Sequence, residues 1–286
     1  MKTNNYIRKL VWKRDEFDGR DFKYTASPEI LELPELPPSA TLIDRMPSIY
    51  EQEDLGSCVA NAVGSKIEFC KMMQNISVFK PSRLFIYYNA RVLEGTQPSE
   101  DVGCSIRSAI KSTANQGVCT ESEWPYIISN YAMKPFSSCY TSALNNQILL
   151  YRRIAYSLYD MKTCIVEGYP FRIGVQVYEN FAMITSTREI PLPKGRIVGG
   201  QAMDVIGYDD AYRVFIVRNS WGVEWGQAGY GYISYDYLMN PIIAGDYWTI
   251  RMVEVEQQPE PEPISISKES WFAKFLSILI NLFKKG

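Results

Sequence analysis

A cysteine that a tight turn delivers to the head of a helix constrains this chain more than any other feature. Between Tyr50 and Ala62, Gly56 and Ser57 supply a turn and an N-cap. Beyond them Val59, Ala62, Val63, Ile67, Phe69 and Cys70 recur at helical spacing in a run that reaches Met73. The pattern predicts a helix with Cys58 at its N-terminus. Unpaired amides and the positive end of the helix dipole favour an anion there, so the Cys58 thiolate is expected to form more easily than that of a free cysteine. Taken alone, such a cysteine reads first as a small buried hydrophobe.

Two distant blocks give Cys58 a context. One is Gly-Gly-Gln-Ala-Met-Asp-Val-Ile-Gly-Tyr-Asp-Asp, from Gly199 to Asp210; the other is Val-Arg-Asn-Ser-Trp-Gly, from Val217 to Gly222, followed by Trp225 and Gly226. With Gln52 six residues before Cys58, these blocks resemble the papain-like cysteine peptidases, in the family's own order, over roughly residues 40 to 255. The resemblance implies an α+β, two-lobed papain-like fold. Its helical lobe would span about 50–168 and its β-barrel-like lobe about 169–255, with a cleft between them. It also implies roles: Cys58 at the nucleophile position, Gln52 and the Cys58 backbone amide as oxyanion hole, and Asn219 as orienting residue. Gly103 and Cys104 would form the shelf along a substrate backbone, with Trp221 beside the cleft. Cys104 stands where a side chain would narrow that cleft.

The departure from the family pattern lies at the most consequential place. The position of the family's histidine is held by Gln201, and the chain contains no histidine at all. In the papain-like scheme histidine takes the thiol proton and later returns it to the leaving amine. A glutamine amide hydrogen-bonds but does not titrate near neutral pH, and general acid–base help typically contributes about 10²- to 10⁴-fold. The expectation is a catalytically impaired or inactive homologue that acts as a protein-binding or structural pseudoprotease, with a protein or peptide segment in its cleft. Two alternatives stand beside it: a genuine cysteine endopeptidase whose histidine was substituted in this chain, or a cysteine-dependent acyl-transfer enzyme. Asp204, three residues after Gln201 in a strand expected to be buried, reads as a hydrogen-bonded structural acid rather than a substitute base.

Composition narrows the rest. The 30 Lys and Arg against 32 Asp and Glu leave a net charge of −2, so nothing favours a nucleic acid partner. The six cysteines show no C-x-x-C pair, hence no metal site or redox motif, and no cofactor is expected. No apolar leader follows Met1, which with the scattered cysteines suggests reduced thiols and a cytoplasmic or virion location.

Residues 1–39 read as an extended N-terminal arm laid over the domain or a linker, too poor in helical pattern for a long inhibitory propeptide. A helix is expected from Pro81 to Arg91, helix or loop from 139 to 168, and alternating strands from Phe171 onward. After the domain, 40–255, comes a Pro/Glu linker, 256–269, and then an amphipathic tail helix, 270–286. That helix would be roughly 20 Å long against a bilayer core of about 30 Å, suited to a partner protein or a membrane interface rather than to spanning.

Overall fold

The structure, a computed structural model, describes residues 8–182, 184 and 189–254. The linker and tail expected at 256–286 lie outside the described residues. Three helices carry the N-terminal half: α2 (Cys58–Met73), α3 (Arg83–Leu93) and α4 (Ile106–Gln116), preceded by the single turn α1 (Pro28–Leu31). Helix α2 is buried along most of its length, as its apolar spacing required. Helix α3 starts two residues after Pro81, where the Ser82 hydroxyl accepts from the Phe85 amide and caps it.

The other half is a sheet of eight described strands: β1 (Ser39–Thr41), β2 (Ile148–Arg153), β3 (Phe171–Tyr178), β4 (Glu189–Ile190), β5 (Ile197–Asp209), β6 (Val214–Arg218), β7 (Tyr230–Ser234) and β8 (Ala244–Val253). Its order is β2-β8-β3-β5-β6-β7-β4, with β1 added to β5, and every pair is antiparallel except β4 with β7. Short helices α5 (Ser137–Ala143), α6 (Leu158–Val166), α7 (Glu179–Ala182) and α8 (Tyr235–Leu238) fill the connections.

Two apolar clusters correspond to two lobes. One gathers Val59, Val63, Ile67, Leu84, Phe85, Ile106 and Ile110 from the helices, and the other gathers Phe171, Val175, Val205, Phe215, Val217 and Trp225 from the sheet. Strand β2 corrects the helix-or-loop expectation for 139–168. Its sequence, Ile-Leu-Leu-Tyr-Arg-Arg, has no period-two alternation, because only Ile148 is buried and the residues after it are exposed or half-buried, so no face alternates against a core. No helix among the described residues is long and apolar enough to cross a membrane.

Candidate active site

Cys58 opens α2 as the sequence predicts, but its chemistry differs from the expectation. Ser57 does not cap the helix with its side chain; its hydroxyl instead shares a 2.6 Å hydrogen bond with the Tyr126 hydroxyl. The sulfur is 1 % exposed and packs in a cluster with Trp12, Leu55, Val59 and Ala202. Burial pushes the thiol up to about 11, although the backbone N–H groups of Ala202, Val59 and Cys58 itself pull the other way. The helix terminus is present and outweighed, since desolvation penalises the thiolate more than three amides help it.

Beside it lies a closed network of amides. The Gln201 Nε2 donates to Asn219 Oδ1 at 2.8 Å and to Gln52 Oε1 at 3.0 Å, so both its protons are engaged. Gln201 Oε1, fully buried, accepts from no described group. Gln52 Oε1 also accepts from the Ser220 hydroxyl at 2.7 Å, while Gln52 Nε2 donates to the Leu55 carbonyl at 3.1 Å. The carbonyl edge of Gln52, not its donor edge, therefore faces Gln201. Asn219 is fixed by its own amide on the Gly229 carbonyl and by Ser220 N on its Oδ1. Gln201 thus makes an N–H to Asn219 bond of the kind an imidazole would make, without a group that gains or loses a proton.

Strand β5 brings Gln201 in, β6 ends just before Asn219, and the backbone amide of Gln52 bonds the Ser220 carbonyl at 2.9 Å. The structure so brings together Gln52, Gln201 and Asn219, with Cys58 on the Ala202 amide next in chain. Sequence reasoning missed Ser220 and Tyr126. Ser220 was legible as the neighbour of Asn219, whereas Tyr126, which donates to the Gln52 carbonyl at 2.9 Å, carried no signal.

Cys104 is fully buried in a cluster that also holds Trp12 and Cys58. Gly103 and Cys104 face the chain's own arm. The Lys13 amide donates to the Cys104 carbonyl at 3.4 Å, and a Cβ on Gly103 would stand 1.9 Å from the Val11 carbonyl oxygen. On the opposite wall Gly200 N donates to Leu10 O and Trp12 N to Gly200 O, both at 3.0 Å. Trp221 is 3 % exposed and stacks near Phe181 and Trp225, with the Arg8 guanidinium 5.2 Å from its ring centre and bonded to its carbonyl at 3.2 Å. Residues 8–13 therefore run through the cleft, between Gly103 and Cys104 on one side and Gly200 on the other.

Asp204 has the structural surroundings foreseen for it. It is 1 % exposed, accepts from the Ser65 hydroxyl at 2.7 Å, and lies 3.6 Å from Arg172 and 3.9 Å from Arg218. Next to Ser65, the fully buried Lys66 packs its ammonium 4.3 Å from the Phe69 ring centre and has no hydrogen-bond partner. Burial lowers its pKa from 10.5 to about 8, reinforced by the Arg172 charge and opposed by Asp204 and neighbouring thiols. Below about pH 8 both folded and unfolded chains carry this proton; between about 8 and 10.5 only the unfolded chain does. Deprotonation then favours the folded state, so this group makes stability rise with pH across that window, by an order of 3 kcal/mol. Lys66→Met is expected to flatten the rise and to raise stability at pH 7, read by urea unfolding between pH 7 and 10.5. An unchanged pH dependence in the variant would remove Lys66 as its source. No group of three or more potential metal-ligating side chains occurs among the described residues.

Comparison with known proteins matches this geometry. The papain family cysteine protease model matches residues 44–244, which include Gln52, Cys58, Gln201 and Asn219. An uncharacterised peptidase C1-like protein of Acanthamoeba polyphaga mimivirus is 35% identical over 270 residues, 87% of this chain and 86% of its own. Xylellain, a cysteine protease from Xylella fastidiosa, superposes with a TM-score of 0.80 at 36% identity, over 86% of this chain and 96% of its own. A procathepsin B from Trypanosoma congolense, 17% identical, shares the fold with a TM-score of 0.71 over 86% of each chain.

Proposed function

Because the chain belongs to the papain family of cysteine proteases, we propose that it is a catalytically silent member whose fold serves a structural, protein-binding role. The observation that carries this reading is the pairing of Gln201 with Asn219 and Gln52 where a proton acceptor for Cys58 is needed. Nucleophilic attack requires the thiolate, and amide cleavage then requires a proton for the departing amine. Nothing bonded to Gln201 titrates near neutral pH, and the Cys58 thiol, pushed up to about 11, stays protonated there. The hydrogen-bond frame persists while proton transfer is lost.

Peptide-amide and thioester hydrolysis by the chain and by its Cys58→Ala variant tests the proposal. Both are expected to give the same amide turnover, at the no-protein rate. Amide turnover that disappears with Cys58→Ala would overturn it, and turnover of thioester alone would replace it with an acyl-transfer role.

A further inference from the structure

We propose that Lys66 and Arg172, where α2 meets the sheet, hold a small monovalent anion of the halide class as a buried structural ligand of the domain. The inference goes beyond the proposed function and stands whether or not Cys58 is silent.

The site is built on the face that α2 turns to the strands. Ala62, Lys66 and Cys70 follow one another there at four-residue intervals, with Ser65 and Phe69 beside them. Arg172 of β3 donates through Nη2 to the Ala62 carbonyl at 2.8 Å, the Ser65 hydroxyl donates to Asp204 of β5 at 2.7 Å, and the Cys70 thiol donates to the Ile250 carbonyl of β8 at 3.5 Å. The Arg172 head is thus bonded one helical turn from Lys66. The Lys66 ammonium lies 4.3 Å from the ring centre of Phe69 and 5.2 Å from that of Tyr169, the residue two places before β3.

Charge in this seam does not balance. Lys66 and Arg172 are both 0 % exposed, yet among the described residues no carboxylate lies in ion-pair range of Lys66, and Asp204, at 3.6 Å, is the one in range of Arg172. Arg218, on the other oxygen of Asp204, has the Glu68 charge near it as well. Lys66 and Arg172 are left one positive charge in excess. Donors are in excess too: Lys66 Nζ and Arg172 Nε and Nη1, all buried, have no hydrogen-bond partner among the described residues.

The neighbouring thiols do not supply the missing negative charge. Burial pushes the Cys70 thiol up, and that of Cys164 up to about 11, so both stay protonated near neutral pH. The Phe69 and Tyr169 rings attract the ammonium without neutralising it. Water would satisfy the N–H groups and leave the charge, whereas a buried ion needs both a counter-charge and hydrogen bonds. A monovalent anion provides both. A divalent one would reverse the imbalance rather than remove it.

The test is thermal melting of the full chain at pH 7 in sodium gluconate, with bromide replacing gluconate at constant ionic strength. A saturable rise of roughly 4 °C is expected. A weakly hydrated anion acting on the whole protein surface would not raise it. Lys66→Met is expected to lose the rise while keeping, without halide, the higher stability already expected of it. Lys162→Met, which removes an ammonium paired with Asp210 at 2.7 Å, is expected to keep the rise. Bromide-soaked crystals of the unaltered chain give a second reading that does not depend on any variant folding, with an anomalous peak expected beside Lys66 and Arg172. No rise in the unaltered chain, a rise that survives Lys66→Met, or soaked crystals without that peak would overturn the proposal.

Discussion

Replacing Asp204 with alanine is expected to destabilise the protein by about 3–5 kcal/mol, the range found when one partner of a buried ion pair is removed. Asp204 is the carboxylate beside two guanidiniums, those of Arg172 and Arg218, that are 0 % and 2 % exposed. Asp204 reaches Arg172 through Nη2 and Arg218 through Nη1, while Nε and Nη1 of Arg172 and Nε of Arg218 are already without a hydrogen-bond partner among the described residues, so loss of the acid leaves buried charge uncompensated. The Ser65 hydroxyl on α2 would lose its 2.7 Å contact to β5 and keep only the Ala62 carbonyl of its own helix, at 3.3 Å, loosening the contact between the helical lobe and β5. Asp204→Asn keeps a polar contact for Ser65 and removes the charge, so a smaller loss is expected. Urea unfolding of both variants checks this; a change below about 1 kcal/mol for alanine would mean that the cluster is not held by Asp204.

Trp12→Ala is expected to cost a similar amount, about 3–5 kcal/mol, because it removes a large aromatic side chain from a packed site. The cost has two sources. A void opens over Gly174, whose lack of a side chain exists to admit the indole, and Asp246 loses one of its donors. Burial, reinforced by the nearby Asp15 charge, already pushes the Asp246 carboxyl up, so losing a donor shifts it further towards the protonated form. Trp12→Phe is expected to recover most of the packing and none of the hydrogen bond. Thermal melting should place the alanine variant roughly 10 °C below the parent, with phenylalanine between them. A fall of less than about 2 °C for alanine would show that the arm lies on the domain without supporting it.

Local features were legible in the sequence and long-range burial was not. The helix at Cys58 follows from a Gly-Ser turn and apolar spacing within sixteen residues, and the structure has it at Cys58–Met73. The order of the motif blocks gave the two-lobed α+β fold, which the family match and the xylellain superposition bear out. The thiol's ionisation was misread because it depends on burial in a cluster that joins Cys58 to residues as distant as Trp12 and Ala202, which no local pattern encodes. The arm's extended character was legible from its irregular pattern, while its path was not, since Leu10 and Gly200 are joined across most of the chain. Strand β2 escaped notice because after Ile148 its residues are exposed or half-buried and no alternating face marks it.

The account turns on Cys58 having no titratable partner, and the most direct measurement is its alkylation rate against pH, followed by mass of the Cys58 peptide in the chain and in Gln201→His. For the chain the rate is expected to climb steadily towards about pH 11, with no plateau near neutrality, as burial dictates. Gln201→His is expected to add a reactive component near neutral pH, because an imidazole beside Asn219 supplies the missing acceptor. A neutral-pH plateau in the unaltered chain would contradict the account, since it would mean that Cys58 is already held as a thiolate without histidine.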